Sequence, residues 1–239
     1  MASIIKLGTI LLDGVYTNPG SKYFSGEKIS FGNQNDISWV VVNGLLIAAL
    51  PLLINISWDE LHHQDLVFGK QVSINGQKFL CRLLRVGAKE GAPNEWDAAL
   101  DIAGENNDLL HWKNIFCWGQ ETTDQDESYC ATRGYSSARY YDWYPSFNRS
   151  AHIGFRPVLE PLPSEDLLPG SEVCAIGGQS VLYGKLLELT EYDALIQPEP
   201  GSITADADHG QIWRRLSDGP LLVERSQVIL QRMGSNSHF

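Results

Sequence analysis

Positive charge is what this chain of 239 residues has least of. Eighteen Lys and Arg stand against 29 Asp and Glu, leaving a net charge of -11. That deficit excludes a nucleic-acid backbone or an anionic membrane as the main partner. It leaves small molecules, glycans or a basic protein face. Cysteine is also sparse. Cys81, Cys117, Cys130 and Cys174 lie far apart and none forms a CxxC pair, so no zinc-like spacing exists. They read as reduced thiols in cores and strands, because the opening MASIIKLGTILLDG has none of the charged lead of a secretory signal. A cytoplasmic chain is the expectation. The longest apolar run, 39–56, is broken by Asn43-Gly44 and Pro51. Each half is too short to cross a bilayer, and Asn-Gly between WVVV and LLIAAL reads as a hairpin turn. No Walker loop, GxSxG elbow or GxGxxG after a strand occurs. Gly177-Gly178 reads as a tight turn between strands.

Aromatic residues are plentiful: seven Trp, nine Tyr and eight Phe. They crowd into 130–160, CATRGYSSARYYDWYPSFNRSAHIGFRPVLE, where Tyr135, Tyr140, Tyr141, Trp143, Tyr144 and Phe147 fall within thirteen residues. Neither strand alternation nor helical spacing is evident there. The stretch reads as a loop-borne surface on a rigid frame. Tyr and Trp rings give large contact area at low entropy cost, which suits recognition.

The rest of the chain falls into three pieces. Residues 1–56 read as strands around a polar loop at 13–27, forming a β-hairpin region packed on the next domain. Residues 57–163 open with a capping box, Ser57 to Glu60, and a helix of about two turns. Asn75-Gly76 marks a second hairpin. Pro93 opens a second helix, with Glu95 and Asp97 in its acidic first turn. Residues 105–108 read as a turn, 109–113 as a short helix and 115–119 as a strand. A proline-rich linker, 161–170, precedes six short strands within 171–233, the pattern of a small SH3-like barrel. Residues 198–210 read as a loop in that barrel, Asp218-Gly219-Pro220 as a turn, and 234–239 as a frayed end.

The middle piece resembles the C-type-lectin-like superfamily, in the branch of the formylglycine-generating (sulfatase-modifying) enzymes and of retroelement-diversified binding proteins. The residues that carry the likeness are Trp112, Trp118-Gly119, Arg133-Gly134, Ser137-Ala138-Arg139, Asn148-Arg149-Ser150 and Ile153-Gly154-Phe155-Arg156. The region around Asn94-Glu95-Trp96-Asp97 and the Gly-Phe-Arg ending are also similar to uncharacterised proteins of gut bacteria and their phages. The resemblance implies an α+β domain with two helices beside a twisted antiparallel sheet and long loops on one face. It implies that the ligand-contacting side chains lie between Arg133-Gly134 and Gly154-Phe155-Arg156. Those positions are Tyr135, Tyr140, Tyr141, Asp142, Trp143, Tyr144, Phe147, Asn148 and Arg149. About half of these rings are expected beneath the loop as its own apolar support. Arg133, Arg139 and Arg156 are expected to pair with carbonyls or acids as structural groups.

Enzymatic readings fare less well. Formylglycine-generating enzymes bind copper through two cysteines. Cys130 lies near one such place, but Ser136 stands near the other and is no soft ligand. His152 is a base for Cys130 only by proximity in sequence. His62 and His63 are adjacent on a helix, point about 100° apart, and cannot chelate together; one buried and one exposed ring is expected. Glu105, Asn106, Asn107 and Asp108 offer oxygen ligands for calcium, but a solvated turn explains them. No metal or cofactor is expected. The leading expectation is a non-catalytic module that binds a small molecule (a nucleotide or glycan), a protein, or another copy of itself. The alternatives are a phage or mobile-element accessory protein that sequesters a host nucleotide signal or blocks an anti-phage defence factor, and a divergent formylglycine-type oxidase.

Overall fold

A computed structural model describes residues 2–89, 91–123, 126, 128–204, 212–217 and 219–234. The fold is β-rich: among the described residues 48% are strand, in four sheets, and 8% are helix. This corrects the α+β expectation. Among the described residues the two α-helices are short, α1 over Trp58–His63 and α2 over Glu95–Ala103. The helix expected over 109–113 is absent. Asn107 Oδ1 accepts from the amides of Trp112 and Lys113, both at 2.8 Å, and this side-chain bonding competes with the helical ladder. The helices that do form are well capped. Ser57 and Glu60 make the full capping box of α1, and Asn94 caps α2.

The first sheet runs in the order Ile4–Lys6, Ser38–Val42, Leu45–Ala48, Pro157–Pro161, Gln77–Leu83, Lys70–Ile74. Both expected Asn-Gly turns are present, with positive φ at Asn43 and Gly44 and at Asn75 and Gly76, as the type I′ turn requires. This sheet is covered on both faces. Trp39, Val41 and Leu46 enter the main core, while Val40, Val42 and Ile47 face a second core with Trp96 and Leu100 of α2. Burial on both sides explains why WVVV lacks alternation.

The second sheet has the order Tyr141–Pro145, Tyr129–Gly134, Phe116–Thr122, Ile153–Phe155, Leu53–Ile54, Ser21–Lys22. A three-stranded sheet joins Val15–Thr17, Thr9–Leu12 and Ile29–Gly32. The polar loop expected over 13–27 is thus partly strand: Asp13-Gly14 makes another positive-φ turn, and Ser21–Lys22 pairs in parallel with Leu53–Ile54. Buried indoles tie the layers. Trp39, Trp58, Trp96 and Trp118 each donate to a backbone carbonyl, those of Leu7, Gly119, Ala138 and Ile56 respectively, as large rings with one polar atom require when buried.

The C-terminal strands form one antiparallel sheet, ordered Trp213–Arg215, Leu221–Glu224, Asp193–Thr204, Ser180–Leu189, Glu172–Gly177, Ile229–Arg232. A 3-10 turn, Arg225–Gln227, precedes the last strand. Residues 198–204, expected in a loop, extend the strand Asp193–Thr204. The rest of that expected loop (205–210), position 218 of the Asp-Gly-Pro turn, and the frayed end 235–239 lie outside the described residues. This sheet has a core of its own, yet Cys174, Ile176, Val181, Tyr183 and Met233 join the main core. Gln231 joins the same junction: its amide donates to Lys78 O and Leu162 O and accepts from Gln77 Nε2. Among the described residues no helix is long and apolar enough to cross a membrane.

Candidate functional site: an aromatic hollow

The segment 130–160 contains two paired strands, Tyr129–Gly134 and Tyr141–Pro145, where a loop was expected. The alternation was hidden because both faces of Tyr141–Pro145 carry rings. Tyr141 and Trp143 turn toward the second core. Tyr144 turns the other way, against the main core, and shares its face with Tyr140 and Asp142.

The turn between these strands is shaped by two consecutive residues in the left-handed region, Gly134 at φ 98° and Tyr135 at φ 79°. A Cβ on Gly134 would lie 2.9 Å from Ile115 O, so only glycine fits. Tyr135 has the strained backbone of a bulky residue at positive φ. It is held there by Tyr135 N donating to Trp112 O and Asn114 N donating to Tyr135 O, both at 2.9 Å.

A hollow of about 540 Å³ results. Phe116 is its floor. Tyr135 stacks on Phe116 at 4.7 Å with an interplanar angle of 4°. Tyr144 and Tyr140 approach the same ring at 5.0 and 6.0 Å, tilted by 55° and 43°. The His152 ring meets Tyr135 edge-on at 5.9 Å. Asn148, Ser136 and Ser150 complete the polar rim. The volume falls within the range of small-ligand sites. Asp142 places its charge beside two of the rings. Tyr140 Oη donates to Asp142 Oδ2 at 3.3 Å, and the Asp142 carboxylate raises the Tyr140 pKa above its ordinary value. Burial raises that of Tyr144, with Asp142 adding to it.

The nine sequence-nominated positions divide. Tyr135, Tyr140, Asp142, Tyr144 and Asn148 line the hollow. Tyr141 and Trp143 face the opposite side, where Tyr141 Oη donates to Gly87 O at 3.0 Å. Phe147 is 69% exposed and does not line the hollow. Arg149 reaches away, to Ser25 Oγ at 2.7 Å and to Glu60. The sequence reading did not include Phe116, and it raised His152 only as a base for Cys130, not as a ligand contact. Both arrive because Phe116–Thr122 runs parallel to Ile153–Phe155, a non-local pairing with no local signature.

The arginines are occupied. Arg156, fully buried, donates to Ala48 O, Ala49 O and His111 O, each at 2.7 Å. Arg133 pairs with Asp97, and Arg139 with Asp101 and Glu105 at 2.6 Å. Cys130 is buried, and burial together with the Asp59 carboxylate pushes its thiol up to about 12. Such a thiol is no thiolate at neutral pH. His62 and His63 are both exposed, which corrects the expectation of one buried ring: His62 stacks on Trp58 and His63 Nδ1 meets Asp59 O. Among the described residues no group of three or more His, Cys, Asp or Glu is placed to hold a metal ion. No protein-family model, curated protein or solved structure matches the chain.

Proposed function

We propose that the chain is a non-catalytic recognition module whose ligand seats in the hollow over Phe116. The observation that carries this reading is the convergence of Tyr135, Tyr140 and Tyr144 on one floor ring, open to solvent through Tyr140, which is 41% exposed. Three tyrosines with polar tips and a carboxylate beside them suit a small molecule or a protruding protein side chain. The frame is a sheet rather than a free loop, so little ordering entropy is lost on binding. The C-type-lectin-like likeness supports the same use of this segment. The occluded Cys130, with its raised pKa, favours recognition over thiol chemistry.

A ligand-observed NMR screen of ring-bearing, sugar and ammonium compounds tests the proposal. Hits on the wild-type protein are expected to weaken about tenfold or more in Tyr140→Ala, from the loss of one stacking ring, and to be unchanged in Phe147→Ala. Hits that are indifferent to Tyr140→Ala contradict the proposal.

A further inference from the structure

The hollow has an electrostatic character that its shape alone does not reveal. Its lining includes four aromatic rings and one carboxylate, and no lysine or arginine. Asp142 is fixed: Oδ1 accepts from the Trp143 amide at 2.8 Å and Oδ2 faces the Tyr140 hydroxyl. It lies on the strand face between Tyr140 and Tyr144, so its negative potential reaches both rings, in keeping with their raised pKa values. Aromatic faces carry negative potential, and the Tyr140 and Tyr144 rings line the hollow beside Asp142. The chain as a whole, at -11, adds to the attraction for cations. A phosphate entering here would meet Asp142 with no lysine or arginine to offset it, the His152 imidazole being the one basic group in the lining. A bare ammonium would have to shed tightly held water. A methylated ammonium spreads its charge over weakly hydrated methyl groups and loses little by entering a ring-lined space.

We propose, granted that the hollow is a binding site, that its ligand carries a methylated or quaternary ammonium group seated over the Tyr140 and Tyr144 rings, beside Asp142 as its counter-ion. The group belongs either to a free small molecule or to a methylated lysine on a peptide.

Calorimetric titrations at about pH 8 separate the outcomes. The probes are choline, its uncharged isostere bearing tert-butyl in place of trimethylammonium, a trimethyl-lysine peptide with its unmethylated counterpart, and adenosine monophosphate. Choline or the trimethyl-lysine peptide is expected to bind at least about tenfold more tightly than its control, and to lose about tenfold in Asp142→Asn. Preference for choline identifies a free ligand, and preference for the peptide a modified lysine. If the isostere or the nucleotide binds as well as choline, and Tyr140→Ala removes that binding, the cation inference falls and the hollow survives as a site. If no probe binds, the cation inference falls. If binding of every probe is indifferent to Tyr140→Ala, both readings fall. An unchanged urea midpoint for Asp142→Asn confirms that the variant reports on binding rather than folding.

Discussion

Asp142 and Cys130 lie on neighbouring strands, and their surroundings give them opposite parts. Cys130 is paired with Tyr144 across the ladder, is sealed in the main core, and has its pKa raised to about 12. Asp142 sits two residues from Tyr144 on the open side. Cys81, Cys117 and Cys174 are likewise free and buried. A thiol-disulfide exchange reagent is therefore expected to label none of the four cysteines in the native protein and all four once urea unfolds it. Rapid native labelling of Cys130 would reopen the thiol-chemistry reading. At this scale the sequence was informative about residue type. The scattered cysteines without metal spacing did prove to be separate buried thiols, and the three arginines did find carbonyls and acids. It misjudged exposure at the histidine pair, where one buried ring was expected. Adjacent His62 and His63 both face outward because Trp58 offers one of them a stacking surface.

At the scale of elements, the strand Tyr141–Pro145 decides which aromatic residues are available. Its alternate side chains divide between the second core and the hollow. Trp143→Ala is expected to cost about 2 kcal/mol or more of stability, because a half-buried indole leaves a cavity. Tyr140→Ala is expected to stay within about 0.5 kcal/mol of the wild type. Urea denaturation of the two variants measures the difference, and equal losses would mean that the face assignment is wrong. Turn chemistry was the most legible feature at this scale. Asn43-Gly44 and Asn75-Gly76 specify their hairpins with two residues each, since positive φ at both positions is cheap only for such pairs. Asp13-Gly14 carried the same signal inside a stretch whose composition read as loop. The segment 109–113 lost its helix to one upstream side chain, Asn107, an effect that apolar periodicity does not encode.

For the molecule as a whole, the β-rich class follows from pairings between distant segments. Leu53–Ile54 lies against Ile153–Phe155, and Leu45–Ala48 against Pro157–Pro161. Such contacts leave no mark on local sequence, so the expected balance of helix and strand was wrong although many individual strands were placed within a few residues. The C-terminal sheet is bound to the rest through a buried polar contact. Gln231→Leu would leave Gln77 Nε2, Lys78 O and Leu162 O without this partner and is expected to cost about 2 kcal/mol. It should lower the urea midpoint for fluorescence and for far-ultraviolet dichroism alike. A loss confined to one probe would show that the junction does not couple the two parts. The hollow itself depends on this long-range order, because its floor and its walls come from strands that meet only through the second sheet. Backbone amide chemical-shift mapping during titration with the tightest probe tests that site most directly. The largest shifts are expected on Phe116, Tyr135, Tyr140 to Tyr144 and His152. Shifts centred instead on the cleft beside Gly44, Arg85 and Gly178 would contradict the proposal.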